Sequence, residues 1–129
     1  MIDHTGLVVS DYERSKRFYI DAFKSIGYSL LVELPLAITG GVHVAGFGEA
    51  PKPDFWISNG TPNQPRIHIA FRVATRKLVD QFYEAALAAG GRDNGKPGPR
   101  PHYHQHYYGT FVLDPDGHNI EAVCHDPAG

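Results

Sequence analysis

The sequence predicts an α+β domain of two strand–helix–strands modules in tandem, and three observations carry that expectation. The chain has 129 residues, of which 42% are hydrophobic and 20% charged, the size and composition of one folded domain. Its apolar residues change period along the chain, from short β-rich runs to three- and four-residue helical spacings, and do so twice. The marks of the first strand–helix unit recur in the second at a constant offset of 64 residues.

Asp3 to Val9 (DHTGLVV) is a short strand. Tyr12, Ser15, Phe18, Tyr19, Ala22, Phe23 and Ile26 then form one helical stripe, with Ser10 or Asp11 to cap it and Gly27 to end it. Tyr28 to Leu34 reads as a strand closed by Pro35. Leu36 to Phe47 reads as another, bent at Gly40-Gly41. Asp54 to Ser58 (DFWIS) completes a first module, about residues 1–58. The turn-rich NGTPNQP, residues 59–65, is a linker.

The second module, about residues 66–125, opens with the strand Ile67 to Val73. A helix starts at Thr75, with Leu78, Phe82, Ala85, Ala86 and Ala89 as its buried stripe and Gly90-Gly91 at its end. Residues 92–106 (RDNGKPGPRPHYHQH) are polar and loop-like. The end is a hairpin, YYGTFVL and HNIEAVC, joined by a four-residue turn at Asp114 to Gly117.

His4 precedes Phe18-Tyr19 by 14 residues and Gly27 by 23; His68 stands in the same relation to Phe82-Tyr83 and Gly91. The match fades after Gly91. One such unit exposes an apolar sheet face. Pairing two copies buries both, giving curved, mostly antiparallel sheets around a shared cleft, and such clefts bind small molecules.

Twelve basic against fourteen acidic residues, a net charge of −2, exclude a broad nucleic-acid footprint. No apolar run reaches the roughly 18 residues that span a bilayer. The patterned sequence starting near Met1 implies no secretory leader and a cytoplasmic location. The single cysteine, Cys124, excludes an internal disulfide and a cysteine zinc site, and it alternates to the helix side of its strand.

Eight histidines remain to be explained. Side chains alternate across a strand, so His4, Gly6 and Val8 share one face, as do His68, Ala70 and Arg72. The opposite, strongly apolar faces belong under the helices, which turns both histidines into the cleft. By the same alternation Glu121 joins them. Two imidazoles and one carboxylate make a facial triad for a divalent first-row metal (Fe, Mn, Zn or Ni) and leave coordination positions open. Its residual positive charge would bind anionic oxygens or polarise a carbonyl or bound water.

Around that triad, His104 and His106 alternate in HYHQH as candidate acid–base and substrate contacts. A four-residue hairpin turn pairs Thr110 with Glu121 and places Tyr108 and Thr110 on the cleft face, with Tyr108 as a proton donor. Trp56 and Arg72 complete the candidate substrate contacts. His43, His102 and His125 carry no functional expectation, and His118, beside the turn, is expected at the surface.

The segments DHTGLVVSDYERSKRFY, RIHIAFRV and FVLDPDGHNIEAV resemble the vicinal-oxygen-chelate superfamily of glyoxalases, bleomycin-resistance proteins and extradiol dioxygenases. The resemblance spans nearly the whole chain, and DPDGHNIE is its most specific part. It implies two βαβββ modules in tandem, forming a curved mixed sheet around a shared cleft, with metal ligands where His4, His68 and Glu121 fall. It also implies a small oxygenated substrate chelated through neighbouring oxygens, lyase, isomerase or ring-cleaving dioxygenase chemistry, and a homodimer. Glyoxalase I has a fourth ligand, a carboxylate on the last strand of the first module. The 64-residue offset maps Glu121 onto Ile57, beside Trp56, and Asp54 alternates to the other face. The three-ligand pattern is closer to the dioxygenase and fosfomycin-resistance branches. Bleomycin-resistance proteins use the same fold without metal, so metal-free small-molecule sequestration is the alternative reading.

Overall fold

In a computed structural model that describes residues 1–129, the chain forms two four-stranded mixed sheets, each carrying one long helix. Strands β1 (Thr5–Val9), β2 (Ser29–Glu33), β3 (Val44–Gly48) and β4 (Phe55–Asn59) make the first sheet, in the order β1-β4-β3-β2. Strands β5 (His68–Arg72), β6 (Arg92–Pro99), β7 (Tyr108–Leu113) and β8 (Asn119–Cys124) repeat it as β5-β8-β7-β6. In each sheet the first strand runs parallel to the last, and the other pairs are antiparallel. This is the tandem βαβββ architecture.

Helix α1 (Tyr12–Lys24) starts where Asp11 accepts the Arg14 N–H at 3.2 Å, and it stops before Gly27, whose φ of +83° a side chain would disfavour. Its stripe from Tyr12 to Phe23 is buried as the periodicity predicts. Helix α3 (Arg76–Ala88) is capped by the Thr75 hydroxyl, and its buried face is Val79, Phe82 and Ala86. The first module's core is aromatic. Tyr19, Phe23, Phe47 and Phe55 are fully buried, and Phe71 of β5 packs on Phe23 and Phe55 with ring centroids 4.9 and 5.5 Å apart. The two modules therefore share one core, with α1 against α3.

Three segments depart from the sequence expectations. Leu36–Thr39 forms a short helix, α2, and β3 begins only at Val44. Pro35 fits the start of a helical turn and Gly40, at φ +72°, ends it, so the glycine pair closes a helix where a bent strand was expected. Residues 92–99 are a strand, which extends the repeat beyond Gly91. Its prolines suit an edge, where a missing N–H leaves no ladder bond unmade. The hairpin loop runs over five residues, because the Asp114 N–H donates to the His118 carbonyl at 2.9 Å and Leu113 faces Asn119.

His118, expected at the surface, is fully buried. Its Nδ1 accepts the Ile67 N–H at 3.0 Å and its Nε2–H donates to the Val8 carbonyl at 2.9 Å, so one imidazole joins the edges of β1 and β5. The Val8 N–H in turn donates to the Asn63 side-chain oxygen. Cys124 is buried on the helix side, beside the Ala74 carbonyl, as its alternation predicts.

At the far edge of the first sheet, Glu33 accepts the Tyr12 hydroxyl at 2.7 Å and the Lys16 ammonium at 2.9 Å. These two donors hold the Glu33 carboxyl below its ordinary value of 4.5. A depressed carboxylate stabilises the fold above the unfolded-state value, and that contribution fades as pH falls through the lower folded value. Glu33→Gln is expected to lower the melting temperature slightly at pH 7, and the difference from wild type should shrink below pH 4.5. Thermal melts across that window check this; a constant difference would exclude the charge as its cause.

Candidate functional site

Strand alternation places the cleft residues as the sequence suggests on β1, β5 and β8. Leu7 and Val9 are buried under α1, leaving Gly6 and Val8 on the opposite face. On β5, Phe71 is buried while His68, Ala70 and Arg72 are exposed. Glu121 lies across from Ala70 in the parallel β5–β8 ladder. The outcome is a direct contact: His68 Nε2 donates to Glu121 Oε1 at 2.9 Å. The imidazole is half exposed, whereas the carboxylate is only 1% accessible.

The second carboxylate oxygen, Oε2, accepts the Tyr107 hydroxyl. Burial and the neighbouring Glu121 carboxylate push that hydroxyl well above its ordinary value, so it stays protonated and donates. Strand alternation with a four-residue turn points to Tyr108 and Thr110, and the structure puts Tyr107 there instead. The five-residue hairpin loop accounts for the change. Glu121 pairs with Phe111 and Thr110 with Ala122, one residue off the expected register. Tyr108 and Thr110 consequently point away from the cleft. The Tyr108 hydroxyl donates to Asp80 on α3 at 2.8 Å with Arg76 over its ring, and the buried Thr110 hydroxyl donates to the Gly95 carbonyl.

The remaining candidates fall into two groups. His4 lies just before β1 and turns its Nδ1 onto Asp3 at 2.7 Å, with 61% of its side chain exposed. It borders a cavity of about 520 Å³ that also reaches His68, Arg72, Tyr28 and Asp54. It equally borders a cavity of about 640 Å³ on the first sheet, which contains Trp56. His104 and His106 sit in the 100–107 loop. His104 Nδ1 accepts the His106 backbone N–H at 3.2 Å, and its ring stands edge-on to His125, 5.6 Å between centroids. His125 in turn packs on the Tyr107 ring, so this loop touches the Glu121 environment through Tyr107.

A divalent metal tests the arrangement. Ligand atoms about 2.1 Å from an ion at right angles lie about 3 Å from one another, and the His68–Glu121 contact already has that spacing. This pair fits two adjacent coordination positions. Within one chain no three histidine, cysteine, aspartate or glutamate side chains converge to hold an ion. The structure thus brings His68 and Glu121 together and leaves His4 on Asp3.

The parallel ladders also revise where a fourth ligand would stand. Gly6 faces Trp56 in β1–β4, and Ala70 faces Glu121 in β5–β8. Gly6 and Ala70 are 64 residues apart, so the first-module equivalent of Glu121 is Trp56, not Ile57. An indole occupies the place of a carboxylate.

The sequence model of the Glyoxalase/Bleomycin resistance protein/Dioxygenase superfamily matches residues 1–122. The chain belongs to that superfamily. Among solved structures, a glyoxalase/bleomycin resistance protein from Albidiferax ferrireducens is 23% identical over 95% of this chain and 97% of its own, with a TM-score of 0.71. A glyoxylase/bleomycin resistance protein/dioxygenase domain from Frankia is 17% identical over 98% of both chains, with a TM-score of 0.74. A point mutant of the fosfomycin resistance protein FosX of Listeria monocytogenes, solved with Mn(II) and 1S,2S-dihydroxypropylphosphonic acid, is 22% identical over 95% of this chain and 87% of its own, TM-score 0.65. At these identities the likeness shows the fold. No curated protein sequence matches the chain.

Proposed function

We propose that the protein is a divalent-metal enzyme acting on a small molecule with neighbouring oxygen atoms, its metal held by His68 and Glu121 of one copy and His4 of a second. The observation that carries this reading is the 2.9 Å contact of a cleft-facing imidazole with a buried carboxylate. A carboxylate removed from water needs a compensating positive partner, and the half-exposed His68 imidazole and the Tyr107 hydroxyl are its only side-chain partners. The separation of His4 from that pair within one chain supports completion by a symmetric partner. So does the apolar edge at Leu36, Ile38 and Val42, which nothing within the chain covers.

A bound ion would supply Lewis-acid polarisation of the substrate oxygens. The chain's own residues do the rest. Tyr107 keeps Glu121 oriented through its hydroxyl, Arg72 lines the same cavity as His68, and the loop that carries His104 and His106 packs on His125, which packs on Tyr107. The Mn(II) and vicinal diol of the Listeria protein support this donor chemistry. Lyase, isomerase and dioxygenase reactions all fall within it. The proposal includes a cytoplasmic location; no helix is long and apolar enough to cross a membrane.

Elemental analysis after metal supplementation and gel filtration, with sedimentation of the same sample, tests the proposal. One ion per chain in a dimer is the expected result, and sub-stoichiometric metal would overturn it. Tyr107→Phe is expected to reduce metal affinity by about tenfold, the scale of losing one bond to a ligand, checked by competition with a chelator. The Trp56 in place of a fourth ligand favours the second reading, metal-free sequestration, which predicts ligand-dependent thermal stabilisation unaffected by chelator.

A further inference from the structure

Trp56 sits in the middle of β4 between two glycines. Gly6 is its partner on β1 and Gly46 its partner on β3. Glycine inside a strand forfeits packing and marks places where another group approaches the backbone closely. Here one side of the indole accounts for Gly46: a Cβ there would lie 2.8 and 2.9 Å from the ring atoms Cζ3 and Cη2, so the indole leans across that glycine. On the Gly6 side the three atoms nearest a Cβ are the Trp56 carbonyl carbon and oxygen and its Cβ, none of them of the ring, and Gly6 itself is exposed. The indole leaves that strip of sheet bare.

The result is a slot. Bare backbone at Gly6 forms its floor and the indole one wall. Val8, Val44 and Leu34 add apolar surface, and Ser58, Asn63 and His4 supply polar atoms at its border. Its volume of about 640 Å³ is in the range of small-molecule sites. A flat ring fits between an aromatic wall and an uncovered strand in a way that a bulky saturated group does not, because offset stacking adds attraction beyond buried area.

We infer that the Trp56–Gly6 slot binds a planar aromatic group, making the ligand of this protein an aromatic compound whose ring lies against the first sheet. His4, itself one of the proposed metal ligands, borders this slot, so a ring stacked on Trp56 carries its oxygen substituents toward that ligand. The ligand's role as a substrate rests on the metal reading above; its binding does not.

Trp56 is the sole tryptophan, so ¹⁵N-labelled protein gives a single indole N–H signal. Metal-free protein is titrated with naphthol and with decahydronaphthol, its saturated analogue, neither of which chelates through neighbouring oxygens. The expected result is a saturable shift of the indole signal with naphthol and binding about five- to tenfold weaker for the saturated compound. Trp56→Leu is expected to weaken naphthol binding by about tenfold in calorimetry, on the scale of one lost aromatic stack. Gly46→Ala, whose new methyl pushes the indole off its seat toward the slot, is expected to weaken it as well and serves if Trp56→Leu fails to fold. Equal affinity for the two compounds, or naphthol binding that leaves the indole signal unmoved, overturns the inference. Loss of metal with naphthol binding intact overturns only the metal reading.

Discussion

Glu121→Gln is expected to abolish stoichiometric metal binding, lowering affinity by more than about a hundredfold, because loss of a ligand exceeds the tenfold to hundredfold typical of its supporting bonds. The amide keeps the size of the side chain and can still bond His68 and Tyr107, so the fold should survive. It lacks the negative charge that balances a divalent ion. Circular dichroism of the variant should match wild type while its metal content falls to background. His4→Ala should have the same consequence from the other side of the site. Mixing the two variants separates a shared site from one held in a single chain. Half of randomly assembled dimers are hybrids, and each hybrid contains one intact site and one doubly defective one, so about a quarter of the sites should bind metal again. No recovery on mixing, with subunit exchange verified, would place the three ligands in one chain.

Asp114→Ala is expected to destabilise the fold by about 3–5 kcal/mol, the range for breaking a buried network around a charge. Asp114 is 1% exposed at the foot of the β7–β8 hairpin. Its Oδ2 accepts the buried Tyr19 hydroxyl at 2.6 Å, and its Oδ1 accepts the N–H groups of Asp116 and His118, each at 2.9 Å. Burial raises the carboxyl's pKa, while the Tyr19 hydroxyl and those N–H groups pull it back. Removing the side chain strands three donors at once and releases the loop that sets the hairpin register. Urea denaturation should show a lower midpoint. Tyr19→Phe, which deletes one donor and leaves the loop intact, should lose only about 1–2 kcal/mol. Equal losses from the two variants would mean that the loop bonds contribute nothing. Because the same loop sets the register of β8, which carries Glu121, Asp114→Ala should also weaken metal binding in whatever fraction remains folded.

Much of the architecture was legible in the residues themselves. Helical stripes need only local periodicity, so Tyr12 to Phe23 and Phe82 with Ala86 are buried as the spacing predicts. Strand faces also follow from local alternation, which put His68 and Glu121 on the cleft side without any knowledge of their neighbours. The repeat linked His4 to His68 at one offset. The edge strand β6 was hidden because its glycines and prolines have the composition of a loop, and only pairing with β7 makes it a strand. His118 was misjudged because its burial depends on β1 and β5 meeting above it.

What the sequence determined, then, is which face of each element a residue occupies, because a period of two or of 3.6 is a property of one segment. What only the tertiary structure decided is which residues on those faces meet. Register depends on the length of the closing loop, and Asp114 closes five residues instead of four. That single step exchanged Tyr108 and Thr110 for Tyr107 at the carboxylate. Separately, the pairing of β1 with β4 and of β5 with β8 set Trp56 in the place of a fourth ligand. The separation of His4 from His68 and Glu121 is likewise a matter of how two modules pack, which no local pattern encodes.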